Sequence, residues 1–222
     1  MERLIIAIDG PAGVGKSTLG KRLARHLGYL YIDSGAVYRA VALKALDEKI
    51  PLDDHGELAR IARQADIRLE GDPDNLRVSL DSLDVTREIR LPETSHASSV
   101  VAAVAPVREA VIDKLREMSR QGGVVMDGRD VGTKIFPEAK VKIFLTAGVD
   151  ARARRRYEED RARGRDVSFD EIKNEIEERD LRDRTRAATP LVKAEDAILI
   201  DTSLMDADAV FERVLEIVLS RG

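Results

Sequence analysis

The 222-residue sequence contains no cysteine. Disulfides and thiolate zinc sites are therefore excluded, and a reducing, cytoplasmic home is expected. A basic excess is missing too, since acids outnumber lysines and arginines by 41 to 37 and leave a formal net charge of −4. A general nucleic-acid binder would carry the opposite sign, so nucleic acid is not an expected partner, although local basic pockets remain compatible. No long apolar run is present. The N-terminal "LIIAI" is too short for a signal-peptide core or a bilayer span, and no membrane partner is expected. His26, His55 and His96 stand apart, without metal-ligand spacing. Repeats, low-complexity tracts and linkers are absent as well. What remains is a single domain over residues 1–222, long enough for a substantial core.

Short apolar runs alternate with longer amphipathic segments, the pattern of a parallel α/β sheet flanked by helices. Strands are expected at Leu4–Ile8, Tyr29–Ile32, Val124–Met126, Val141–Leu145 and Ala197–Ile200. Helices are expected near 16–27, 35–47, 106–121, 149–163, 168–183 and 206–220. Two excursions interrupt this order. "DIRLEGDPDNLRVSLDSLDVTREI", beginning at Asp66, alternates with period two around a turn at Asp72–Asn75, which predicts a small antiparallel β insertion. The other is an arginine-rich helical pair from about 150 to 186. The last segment, "DAVFERVLEIVLS", carries an apolar stripe that suits a helix covering the sheet. Nothing demands self-association, and a monomer is expected.

The chemistry begins at "IAIDGPAGVGKST". A buried strand runs directly into Gly10-Pro11-Ala12-Gly13-Val14-Gly15-Lys16-Ser17, which fills every position of the G-x-x-x-x-G-K-[ST] phosphate loop in a strand–loop–helix context. Such a loop turns backbone N–H groups inward around a chain of phosphates, aided by the positive end of the following helix. Lys16 is the candidate for the β- and γ-phosphates. Ser17 and Thr18 both offer a hydroxyl to Mg²⁺, with Ser17 favoured by the general motif. "GGVVMDG" then ends an apolar strand in Asp127, placed to hold the metal through water. Loop and acid together point to Mg²⁺–nucleoside triphosphate.

The N-K-x-D element by which GTPases read guanine follows no late strand. Instead, polar residues and arginines gather near predicted strand ends, where open α/β sheets bind ligands. "DSGAVYR" places Ser34 at an expected helix N-cap with Arg39 one turn on, and "DGRDVGT" adds Arg129 and Asp130 beyond Asp127. In "EERDLRDRTRA", helical geometry puts Arg179, Arg182, Asp183 and Arg186 on one face. Asp180 and Arg184 fall off it and are read as solvated or structural pairs. The bland alternative for the whole run is a solvated helix with i,i+4 ion pairs.

Taken in order, "IDGPAGVGKST", "DSGAVYR", "VREAV", "MDGRDVGTKIFPEAKVKIFLTA" and "ERDLRDRTRAATPL" resemble the bacterial cytidylate kinases over nearly the whole chain. The resemblance implies a P-loop-type CORE of five parallel strands, an NMP-binding insertion about 35–105 and a helical LID about 150–186. It implies transfer of the γ-phosphate of ATP to CMP or dCMP, with Mg²⁺ as cofactor. It further implies that Ser99, Arg108 and Asp130 contact cytosine, and that Arg39, Arg129 and Arg186 hold the acceptor phosphate beside Ser34. Arg179 and Asp183 would reach the ribose hydroxyls, and Arg155, Arg156 and Arg182 would cover the donor. Two rival readings are another small-molecule P-loop kinase, such as one acting on shikimate, and a slow NTP-hydrolysing switch protein. Dependence of ATP turnover on an added monophosphate separates the last of these.

Overall fold

The computed structural model describes residues 3–162 and 164–221. The strands are β1 (Ile5–Asp9), β2 (Leu30–Asp33), β3 (Ile67–Glu70), β4 (Arg77–Leu80), β5 (Leu83–Asp84), β6 (Val124–Gly128), β7 (Val141–Thr146) and β8 (Ile198–Asp201). The helices are α1 (Lys16–Leu27), α2 (Ser34–Asp47), α3 (His55–Gln64), α4 (Pro92–Val101), α5 (Ala105–Met118), α6 (Val149–Ala162), α7 (Phe169–Thr185) and α8 (Ala207–Arg221). Each of the five expected parallel strands forms within a residue or two of its expected bounds. They make one parallel sheet in the order β2-β6-β1-β7-β8. Residue 163, the expected end of the helix that became α6, lies outside the described residues.

Alternation along the buried strands sorts side chains to the two faces. Ile6 and Ile8 of β1 join Leu19, Leu23, Phe211 and Val214 beneath α1 and α8. Ala7 and Met126 instead join Val37, Val41, Ile61 and Leu115 beneath α2, α3 and α5. Two-sided burial is why these strands read as continuous apolar runs. The helical pair α6–α7 has a small core of its own, built on Ala153, Ile172 and Ile176. The expected β insertion is the antiparallel sheet β3-β4-β5, with Ile67 opposite Leu80.

Two helices were not anticipated. α3 is capped by the Asp54 carboxylate, which accepts from the Glu57 amide at 3.0 Å, and it buries Leu58, Ile61 and Ala62 at helical spacing. α4, "PETSHASSVV", is small, polar and β-branched, and packs chiefly on α2. Its residues favour turns and strands intrinsically, so packing overrides propensity there. A further correction concerns Ser34. It is the first residue of α2, and Asp33 is the cap, accepting from the Ala36 amide at 3.0 Å. The Ser34 hydroxyl instead donates to the Asp127 carbonyl at 2.7 Å, because burial beside β6 gives it a closer acceptor. Among the described residues no helix is long and apolar enough to cross a membrane.

Candidate active site

The phosphate loop joins β1 to α1 at the carboxyl edge of the sheet. Gly10 packs so closely on β7 that a Cβ would stand 2.2 Å from the Leu145 carbonyl oxygen, and its φ of 148° lies where L side chains are strained. Gly15 caps α1 in the left-handed region, with φ 93°. The loop's carbonyls are tied from outside. Lys16 Nζ donates to the Pro11 carbonyl at 2.7 Å, Arg152 Nη1 to that of Ala12 at 3.1 Å, and Thr202 Oγ1 to that of Val14 at 3.3 Å.

Ser17 and Thr18 now separate. The Ser17 hydroxyl donates to Asp127 Oδ2 at 2.9 Å, whereas the Thr18 side chain makes no such contact. Tyr31, on β2, donates its hydroxyl to the other oxygen of Asp127 at 3.1 Å. Burial pushes the Asp127 carboxyl up, with the Asp33 charge adding to the effect. Burial pulls the Lys16 ammonium down, and the nearby Arg129 guanidinium pulls further. Each partly offsets the other's shift, Lys16 lowering Asp127 and Asp127 raising Lys16.

Beyond the loop the arginines form one field. Arg129 Nε donates to Asp183 Oδ2 at 2.7 Å, and Arg186 Nη1 lies 3.6 Å from Asp183 Oδ1. Arg108 Nη2 donates to Asp130 Oδ2 at 2.5 Å in a pair only 3% and 4% exposed, and the guanidinium stands 5.1 Å from the Tyr38 ring centre. Arg39 Nη2 donates to Asp33 Oδ2 at 2.6 Å. Burial pushes Asp33 up, but Arg39 and the Ala36 amide bring it below its ordinary value. Asp183 is likewise raised by burial and brought below its ordinary value by Arg129. Burial and the Arg129 charge lower Arg179 to about 10. Burial and Arg108 lower Arg186. These mutual fields link Lys16, Arg129, Arg179, Asp183, Arg186, Arg108 and Asp130 into one cluster.

Eight polar atoms among the described residues are buried with no protein partner: Arg39 Nε, Arg108 Nε, Arg179 Nε and Arg186 Nη2 of this cluster, and the Tyr38 hydroxyl, Ser99 Oγ, Asp180 Oδ1 and Thr189 Oγ1. Unpaired buried donors are costly, and several at one site mark a place where a ligand completes the bonding.

The remaining expectations divide. Arg186 is not on the helical face; it caps α7 from outside and donates through Nε to the Thr189 carbonyl at 2.8 Å. Arg182 is half-buried; its carbonyl accepts from the Arg186 amide, and its side chain makes none of the hydrogen bonds or ion pairs found among the described residues. Arg155 binds the turn after β8, donating to Thr202 Oγ1 at 3.1 Å and to the Thr202 and Met205 carbonyls. Arg156 is exposed and paired with Asp160 one turn on. Asp180 is a buried structural pair rather than a solvated one: its Oδ2 accepts from Arg152 Nη2 at 2.6 Å. Arg184 is exposed. Sequence reasoning missed Arg152, Tyr31, Asp33 and Asp9. Asp9 and Asp33 each carried a signal, as acids ending apolar strands, Asp33 also directly before a helix.

Residues 6–220 match the family model described as cytidylate kinase. The chain is 52% identical over 214 residues to the cytidylate kinase of Desulforamulus reducens, covering 96% of each chain. It is 53% identical over 211 residues to that of Pelotomaculum thermopropionicum, covering 95% of this chain and 93% of the other. Among solved structures, an uncharacterized protein from Eubacterium ventriosum aligns with a TM-score of 0.54 at 15% identity, over 98% of this chain and 99% of that one. A Thermus thermophilus protein aligns with a TM-score of 0.50 at 22% identity, over 99% and 98%. Both likenesses concern fold alone. With a family model spanning nearly the whole length and relatives more than half identical in sequence, the chain belongs to the cytidylate kinase family.

Proposed function

We propose that the protein transfers the γ-phosphate of ATP to CMP or dCMP, releasing ADP and CDP or dCDP. The observation that carries this reading is the set of partnerless buried donors from Arg39, Arg108, Arg179, Arg186 and Ser99, adjoining a complete phosphate loop. A cluster of this charge fits a nucleotide phosphate far better than a neutral metabolite. In the transfer, a phosphate oxygen of CMP bonds to the γ-phosphorus as the bond to the β-bridging oxygen breaks, and ADP departs with that electron pair. The ionised acceptor phosphate is already nucleophilic, so no strong general base is needed. The difficulty is bringing two anions together. Arginines meet it, because each stays protonated and offers a planar fork to phosphate oxygens.

Lys16 and the loop amides take the donor phosphates. Arg39, Arg129 and Arg186 take the acceptor phosphate, with the buried Ser34 hydroxyl beside them. Arg179 and Asp183 take the ribose, which requires Asp183 to share or surrender its bond to Arg129. Ser99, Arg108 and Asp130 read the base. Cytosine offers an amino donor that Asp130 accepts, while uracil presents a carbonyl there and leaves the carboxylate unmatched.

The Ser17 hydroxyl and the Asp127 carboxylate, 2.9 Å apart, form an all-oxygen donor set that suits Mg²⁺, Ser17 directly and Asp127 through water. Held there, Mg²⁺ would supply positive charge against the charge that develops on the transferring phosphate. We assign β3-β4-β5 with its neighbouring helices to the NMP-binding region, about 35–105, and α6–α7 to a lid, about 150–186. The separate small core of α6–α7 favours movement as a unit. Closure would exclude water that otherwise hydrolyses ATP. Arg182, unpaired and half-buried, is free to cover the donor. Arg155 acts there through the turn it holds, and Arg156 would have to leave Asp160.

The test is ADP release with Mg²⁺–ATP and CMP, dCMP, UMP, AMP, GMP or shikimate in turn. Turnover strongly favouring CMP and dCMP is expected. Equal background turnover with every acceptor would overturn the acceptor assignment while leaving the phosphate loop standing.

A further inference from the structure

The Asp9 carboxylate is 5% exposed and belongs to none of the roles above. It sits at the last position of β1, one residue before the phosphate loop, and reaches across to the segment following β6. Its Oδ1 accepts from the Val131 amide at 2.8 Å and its Oδ2 from the Gly132 amide at 2.7 Å. Those amides immediately follow Arg129 and Asp130. Burial raises the carboxyl to about 6, so the two amides hold a charge that the surroundings resist.

From this geometry we infer that Asp9 is a positioning residue for acceptor recognition: its carboxylate fixes the 129–132 turn, and through it the aim of Arg129 and Asp130. The inference rests on the acceptor reading of those two residues.

The segment after Arg129 is tied within itself, the Asp130 carbonyl accepting from the Lys134 and Ile135 amides and the Val131 carbonyl from the Phe136 amide, while Asp9 ties it to β1. The phosphate loop has anchors of its own, in Lys16, Arg152 and Thr202 on its carbonyls and in the close packing of Gly10 on Leu145. Among the described residues, Asp9 is the acceptor for both the Val131 and the Gly132 amide. Gly132 is also closely packed: a Cβ there would stand 3.2 Å from Lys142 Cγ and Cδ and 3.3 Å from Asp9 Oδ2. Loosening this contact leaves the phosphate loop's own anchors in place.

The test is Asp9→Asn, whose amide group can accept only one of the two bonds and sets an N–H₂ against the other N–H. Steady-state kinetics vary CMP, UMP and Mg²⁺–ATP separately. A fall in kcat/KM for CMP of ~10- to 100-fold is expected, the range of one charge-assisted hydrogen bond. It should appear mainly in KM for CMP, with a weakened preference over UMP and a KM for ATP within about threefold. A lowered Tm with both KM values and the preference unchanged would make Asp9 merely structural and overturn the proposal. So would an equal loss toward ATP and CMP. Should Asp9→Asn not fold, Gly132→Ala crowds the same contact from the turn's side, its Cβ 3.3 Å from Asp9 Oδ2, while leaving Asp9 and the phosphate loop unsubstituted, and the same KM split is expected, smaller. Asp130→Asn is run in parallel. If it alters CMP/UMP preference while the Asp9 and Gly132 variants do not, only the positioning role fails. If all are silent, the acceptor reading itself fails.

Discussion

The two halves of the cleft satisfy their polar groups in opposite ways. On the side we assign to the donor, the loop is already bonded within the protein: Lys16 to the Pro11 carbonyl, Ser17 to Asp127, and the Ala12 and Val14 carbonyls to Arg152 and Thr202. On the side we assign to the acceptor, Arg39, Arg108, Arg179 and Arg186 each keep a buried nitrogen without a protein partner, as Ser99 and Tyr38 keep an oxygen. The difference teaches where recognition resides. A loop that binds through backbone amides needs only to be held in shape, and it accepts any triphosphate chain. A pocket built from charged side chains is completed only by a ligand whose atoms match, so discrimination belongs there.

The largest test of this contrast removes the phosphate-loop lysine. Lys16→Met is expected to lower kcat by ~10²- to 10³-fold, the cost of losing one preorganised charge-stabilising group. KM for CMP should change little, and an equal rise in that KM would show that the two sides are not separable. Next in size, Arg186→Met removes an acceptor-side guanidinium with an unused nitrogen. Its kcat/KM for CMP should fall ~10- to 100-fold, the range of a charge-assisted hydrogen bond, with KM for ATP nearly unchanged. Calorimetric titration of ADP into the same variant should give near-native affinity.

Asp130→Asn sharpens the comparison further. The hydrogen bond to Arg108 can survive in this variant, but the amide is no longer a pure acceptor for the cytosine amino group. The ratio of kcat/KM for CMP over UMP should fall about tenfold, and an unchanged ratio would remove Asp130 from base reading. The smallest effect concerns the floor of the acceptor side. Asp33→Ala loses the α2 cap and the Arg39 pair, costing ~0.5–2 kcal/mol in urea unfolding at neutral pH. Asp33 is held below its ordinary value, so the native state favours its carboxylate. Its contribution is therefore complete above the unfolded carboxyl pKa of ~3.9 and is lost as pH falls through the lower folded value. The gap between wild type and Asp33→Ala should narrow only in acid; narrowing between pH 8 and 6 would contradict that direction.

Much of the sheet was legible because its central strands β1, β6 and β7, buried largely on both faces, read as apolar runs, and because the phosphate loop fixes residue types at fixed offsets. α3 was legible in principle, since Asp54 and Glu57 precede Leu58, Ile61 and Ala62 at helical spacing. α4 was not, because its sequence favours turns and its helix exists by packing on α2. In the arginine run, periodicity brought Arg179 and Asp183 together correctly. It failed at Arg186, where the helix has ended and the chain turns through a Thr189 held at φ 47°.

By itself, then, the sequence determined the phosphate loop, the strand that feeds it, the acid that faces it and the kinship of the whole chain. These depend on local pattern and on residue types at short, fixed spacing. Only the tertiary structure decided which of many similar arginines is spent on the scaffold and which is left with unused donors. Arg152 and Arg155 carry the same charge as Arg179 and lie only three residues apart. Yet Arg152 pins the phosphate loop to α7, and Arg155 holds the turn after β8. Arg179 keeps a buried nitrogen free. Side-chain type sets what a residue can bond, but partners more than a hundred positions away, such as Ala12 for Arg152 and Val131 for Asp9, are fixed only when the sheet and helices close around them.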